Sequence, residues 1–213
     1  MKLVVLGASG GIGGHLVTEA LARGHEVTAV TRPTSKFTAP AGVRALTGDL
    51  TDEAFLRTAI QGADAVLSAL GLRMPGIAPW HRPEDPTFAS RATTAVVAAM
   101  KAEGVSRIVV VSAGGVGESR AAVPAFFRVM IATTALRHAY ADLARVEQTL
   151  LASGLDVCIA RPGGLGDGPP TRKVAVVPTI GPAQIARADV ACWMLDQLAT
   201  TPFAHRAAMI AAA

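Results

Sequence analysis

The chain of 213 residues carries 20 Lys+Arg against 16 Asp+Glu, a net charge of +4 at pH 7, with 51% hydrophobic but only 4% aromatic side chains. A chain of this length buries a full core as one domain without staples, and an Ala/Val/Leu/Ile composition suits helices packed on a buried parallel sheet. The charge is spread with no dense basic run, which argues against a nucleic-acid surface, and no apolar run reaches membrane-spanning length.

The first apolar run, residues 2–7, reads as a strand that breaks into Gly7-Ala-Ser-Gly10-Gly-Ile-Gly13 before a helical pattern over 15–23. Strand, glycine turn and helix start in that order form a docking place for a dinucleotide pyrophosphate. Gly7 allows the turn, Gly10 admits the phosphates to bare backbone, Gly13 lets the helix lie close to its strand, and free N–H groups at the helix start attract the anion. A Gly-rich turn without a ligand is the plain alternative. Further strands are expected over 26–31, 43–47, 65–69, 108–112 and 156–160, and helices over 52–60, 88–101, 139–152 and 184–198. Such alternation implies right-handed βαβ units in a single domain, a doubly wound parallel sheet ordered 3-2-1-4-5-6. The Ala-rich C-terminus is expected to fray or pack.

The second strand ends in AVTRPTSK, with Thr31 where an acid would select an unphosphorylated ribose. Arg32, Ser35 and Lys36 offer donors for a 2′-phosphate, or form a solvated basic turn. Asp49 in TGDL, with Leu50 beside it, reads as a contact for the adenine edge or as a helix-start residue shared with Asp52. The fourth strand closes on Ala69, Leu70 and Gly71, small enough for a cofactor to lie close, although Gly71 also serves as a plain turn. Ser112 ends the fifth strand, where its hydroxyl faces a nicotinamide carboxamide, a substrate carbonyl or only the next turn.

Two connections exceed what the alternation needs, residues 72–87, holding Trp80 and His81, and the apolar 114–138. Both leave the carboxyl edge of the sheet, where long loops form substrate walls. Residues 121–131, with Phe126, Phe127 and Met130, read as a wall for a flat ring or as a lid helix packing on the core. The five His show no metal spacing with Cys158 and Cys192, which sit in apolar runs as core residues and indicate a reducing, cytoplasmic setting. The opening LVVL is too short for a secretory core. His81 beside Trp80 and His138 beside Tyr140 are acid candidates, or loop and surface histidines.

The GASGGIG turn, TRP, TGDL, SALG, AVVAAMKAEGVSRIVVVSA and the stretch DLARVEQTLLASGLDVCIARPGGLGDGPPT from Asp142 resemble the atypical short-chain dehydrogenase/reductases, the group of biliverdin-IXβ reductase (flavin reductase) and NmrA-type NAD(P)-binding relatives. The likeness covers residues 2–198, and SGLD with RPGGLGDGPPT is its most specific part. It implies a Rossmann-type fold and an NADP(H) site. On that resemblance Gly7, Ser9, Gly10, Gly11, Ile12 and Gly13 hold the pyrophosphate and Arg32 the 2′-phosphate. Asp49 and Leu50 meet the adenine, Leu70 and Gly71 the ribose side, Ser112 and Ala113 the nicotinamide, and Pro162 and Gly163 cap its pocket.

One departure stands out. Typical short-chain dehydrogenases use Tyr-x-x-x-Lys, the ammonium lowering the phenol's pKa for proton exchange with a substrate oxygen. Here Tyr140 is the single tyrosine, Ala144 stands four residues on, and the lysines lie only at positions 2, 36, 101 and 173. Arg145 cannot relay a proton at neutral pH. Hydride transfer from NADP(H) to a flavin or bilin-like acceptor asks less, since the acceptor's conjugation takes up charge and water supplies the proton. Tyr140 and Ser112 are the residues to test in such a reaction. The expectation is a reductase of a small-molecule acceptor, as a monomer or small homo-oligomer. The rivals are an NADP-binding sensor of NmrA type and an epimerase-like enzyme, the latter also lacking its Tyr-Lys pair.

Overall fold

The computed structural model describes residues 1–72 and 74–213. Strand β1 (Lys2–Leu6) holds Leu3, Val4, Val5 and Leu6, none more than 2% exposed. Leu3 and Val5 enter one hydrophobic cluster, Val4 and Leu6 another, because successive side chains leave a strand on opposite faces. A strand apolar on both faces belongs at the centre of a covered parallel sheet.

After β1 come α1 (Gly11–Ala22), β2 (Glu26–Thr31), β3 (Val43–Thr47), α2 (Glu53–Ile60), β4 (Ala65–Ser68), α3 (Phe88–Ala102) and β5 (Arg107–Val111). Then follow α4 (Ala125–Thr133), α5 (Leu136–Leu151), β6 (Asp156–Pro162), β7 (Gly164–Gly166), β8 (Val174–Val176), β9 (Gln184–Ala186), α6 (Arg187–Asp196) and β10 (Ala207–Ala212). The main sheet runs β3-β2-β1-β4-β5-β6-β10-β8, the expected 3-2-1-4-5-6 order extended by two strands. Strand β10 pairs in parallel with β6, and β8 pairs antiparallel with β10. On one face α1 and α6 contribute Leu16, Val17, Val190 and Met194; on the other α2, α3 and α5 contribute Leu56, Ile60, Met100 and Leu150. Full burial of each such side chain contributes roughly 1.5 to 3 kcal/mol relative to exposure.

Four features add to or differ from the sequence expectation. Helix α1 starts at Gly11 rather than 15, so the glycines themselves form its first turn. Residues 184–186 pair as β9 with β7, and α6 begins only at Arg187. The Ala-rich tail is β10, with Ala208 and Ile210 buried. Residues 114–138 are mostly helical, with a 3-10 turn over Gly117–Ala122 followed by α4 and the start of α5. No helix among the described residues is long and apolar enough to cross a membrane.

Long-range contacts hold the second half together. Helix α3 receives no side-chain bond from its own N-cap Thr87; instead the fully buried Asp142 of α5 accepts hydrogen bonds from Ala89 N at 2.9 Å and Ser90 N at 3.3 Å. A carboxylate there satisfies bare N–H groups and suits the positive end of the helix dipole. On β6, buried Arg161 donates through Nε to Glu147 at 2.9 Å and through Nη1 to Glu118 at 2.7 Å. Burial opposes its charge, but the bonds to Glu147 and Glu118 outweigh that and hold the guanidinium pKa above its ordinary value.

Candidate functional site

The glycine turn lies between β1 and α1 at the carboxyl edge. Gly7 N donates to Val30 O at 3.1 Å and Gly10 N to Gly7 O at 2.9 Å, which fixes the turn against β2. A Cβ on Gly13 would fall 2.7 Å from the Gly7 carbonyl carbon, so only glycine lets α1 come this close. Helix α1 has neither a side-chain cap at Gly10 nor an acid in its first turn. Its N-terminal partial charge is therefore not met by a side-chain cap or an acid of its own first turn.

Seven of the expected cofactor residues, Gly7, Ser9, Gly10, Arg32, Leu50, Leu70 and Gly71, line one hollow of about 110 Å³. Ser35 joins them, whereas Lys36 stands exposed outside. The Arg32 guanidinium lies 4.8 Å from the Phe88 ring centroid and also lines an adjoining hollow of about 270 Å³, with Glu84 and Asp85. Asp85 is itself engaged by Thr87 and Arg91. Thr31 turns aside to share a 3.3 Å hydroxyl bond with Thr47. The Asp49 carboxylate accepts from Thr51 N and Oγ1, each at 2.8 Å, and these bonds hold its pKa below the ordinary value. Asp52 is the α2 cap, accepting from Ala54 N at 2.9 Å.

At the other end of the carboxyl edge, the tips of β5 and β6 stay paired. Ser112 N donates to Ala160 O and Gly114 N to Pro162 O, each at 2.8 Å, which sets Ser112 and Ala113 beside Pro162 and Gly163. The Ser112 side chain is 5% exposed, and its Oγ has no hydrogen-bond partner among the described residues. A buried hydroxyl left unbonded costs about 1 to 3 kcal/mol, which makes Ser112 the unsatisfied group at this strand tip. The Tyr140 hydroxyl donates to Gly114 O at 3.2 Å, and burial pushes its pKa up to about 12. That is the opposite of what a proton-exchanging phenol requires at neutral pH.

Two features of this end had no sequence signal. Ile180 is buried over the strand tips, its Cγ2 2.7 Å from where a Cβ on Gly163 would be, and its N–H donates to Ala122 O at 3.1 Å. Residues 77–79 dock on the start of α5 by Ala135 N to Ile77 O at 3.0 Å and Arg137 Nη2 to Pro79 O at 3.0 Å. His81 Nδ1 and His138 Nε2 are buried without partners among the described residues. Helix α4 has no buried residue, and Phe126 and Val129 are 76% and 59% exposed, so it stands off the core. Between it and α5 lies a cavity of about 440 Å³ reached by Tyr140, Val116, Ile131 and three arginines, Arg120, Arg128 and Arg137.

A family model described as NAD(P)H-binding matches residues 7–201. An uncharacterised chloroplastic protein of Arabidopsis thaliana is 30% identical over 189 residues, 83% of this chain and 64% of that protein. The chain spans less than two thirds of the length of the curated plant relatives it matches. Among solved structures, the anaerobillin reductase ChuY of Escherichia coli superposes with a TM-score of 0.76 at 25% identity, covering 99% of this chain and 96% of that one. A short-chain dehydrogenase/reductase of Veillonella parvula in complex with NADP shares the fold, with a TM-score of 0.79 at 18% identity over 98% of this chain and 93% of that one. These matches agree with the resemblance to atypical short-chain dehydrogenase/reductases carried by the motifs.

Proposed function

The chain belongs to the NAD(P)H-binding family, and from that premise we propose that it is an NADP(H)-dependent reductase passing hydride to a small conjugated acceptor of flavin or bilin type. The observation that carries the reading is the buried, unbonded Ser112 hydroxyl at the β5 tip, beside a tyrosine whose own hydroxyl is committed to Gly114. Such a corner positions a ring without offering it a proton.

The residues fit the cofactor. The bare start of α1 suits a pyrophosphate, Arg32 suits a 2′-phosphate, and the Ser112 hydroxyl supplies a partner for the nicotinamide end. When bound, the reduced nicotinamide supplies the hydride. Ser112, Pro162 and Gly163 orient that end, and Ile180 excludes water from the strand tips. The acceptor lies toward α4 and residues 77–79, and its proton comes from solvent rather than from Tyr140. Relatives named as reductases support this reading at the level of reaction type. Buried, unpaired Cys158 and Cys192 support a reducing, cytoplasmic setting.

The test is the rate of NADPH oxidation by the purified protein with and without added flavin. Acceleration by flavin is expected. Cofactor binding with no turnover toward flavin or a linear tetrapyrrole would favour the NmrA-type sensor, which the lack of a proton-donating Tyr-Lys pair also favours.

A further inference from the structure

The glycine turn has a companion that comes from the far end of the sequence. Arg187, the first residue of α6, lays its side chain across Gly11: a Cβ on that glycine would fall 2.7 Å from Arg187 Cδ and 3.1 Å from its Nε. The cation therefore sits at the opening of α1, where side-chain caps and acids are both absent. Its Nη1 is held by Asp167 Oδ1 at 2.6 Å, but that partner is 88% exposed while the arginine side chain is 29% exposed. An exposed carboxylate holds a cation only weakly. The local helix does not explain the arginine either, because a positive charge at a helix start opposes the helix dipole.

We propose that Arg187 is a ligand of the dinucleotide pyrophosphate, parked on Asp167 in the free protein and transferred to the phosphates when the cofactor arrives. The assignment rests on the cofactor reading above. Two sources of positive potential, the α1 terminus and the Arg187 guanidinium, then meet one doubly charged group, and Asp167 acts as a competitor that lowers affinity. A side chain at position 11 would displace the end of the arginine from its present place.

Calorimetric titration of the full chain with NADP⁺, NAD⁺ and adenosine 2′-monophosphate tests this. The first two ligands carry a pyrophosphate and the third does not. Arg187→Ala should weaken NADP⁺ and NAD⁺ by the same factor, roughly tenfold or more for a lost charge-assisted contact, and leave adenosine 2′-monophosphate unchanged. Asp167→Asn should move NADP⁺ in the opposite direction, toward tighter binding. Weaker NADP⁺ binding in both variants would mean that the pair serves only as a structural bridge, and would overturn the proposal. Equal loss for all three ligands in Arg187→Ala would do the same, as would no loss at all. Failure of the unaltered protein to bind any of them would remove the cofactor reading itself, and this assignment with it.

Discussion

The two ends of the carboxyl edge are built by different means. At the glycine turn the site is mostly backbone, made by neighbours in sequence and fixed by short bonds such as Gly10 N to Gly7 O. At the β5 and β6 tips it is assembled from Ser112, Tyr140, Gly163 and Ile180, drawn from separate segments and bordered by a helix with no buried residue. The first end needs the same geometry for any dinucleotide, so rigid main chain suffices. On the reading proposed above, the second admits an acceptor, and its outer wall, α4, has no buried residue.

Breaking the support of the second end should have the largest effect. Arg161→Met leaves Glu147, 3% exposed, without its guanidinium. Removal of one partner of a buried pair costs about 3 to 5 kcal/mol, so thermal and urea unfolding should show a stability loss of that size. Retention of near-normal stability would mean that the Glu147 and Glu118 bonds to Arg161 do not hold this end together. The first end is probed by Arg32→Ala, which should narrow the preference for NADPH over NADH by roughly 1 to 3 kcal/mol. Equal affinities in the unaltered protein would remove Arg32 from the 2′-phosphate.

Smaller effects separate the side chains of the second end. Ser112→Ala should lower the rate of flavin reduction more than Tyr140→Phe, which should stay within a few fold, since losing a true general acid costs about a hundredfold or more. A collapse in Tyr140→Phe alone, with cofactor binding intact, would make the phenol the proton donor. The smallest effect is an alkaline one. Burial raises the Tyr140 pKa from 10.0 to about 12. Because the folded value lies above the unfolded one, the neutral hydroxyl contributes stability that is present below about pH 10 and lost as the pH rises through about 12. With one tyrosine in the chain, ultraviolet titration reads this directly, and a midpoint near 10 in the folded protein would place the ring in water.

The first end was legible in the sequence because its determinants are local. A strand, three spaced glycines and a helix follow one another between Lys2 and Ala22, and Arg32 stands directly after β2. The strand order followed from the alternation of apolar runs. What was not legible depends on residues far apart: Asp142 capping α3, Ile180 seated on Gly163, and Arg187 lying on Gly11. No periodicity links such pairs. That the tail packs as a strand was not legible for another reason, since Ala has little preference for strands and only Ile210 and the register with β6 make it one.

That register has a consequence for the life of the chain outside its site. Ile159 and Ala160 of β6 are 0% exposed, and on the side away from β5 their main chain pairs with β10. Without residues 207–212, β6 would become an edge, an apolar ribbon with a free row of N–H and C=O groups ready to add a strand from another molecule. The tail thus guards against aggregation, and β8, three residues long, blunts the edge that β10 would otherwise present.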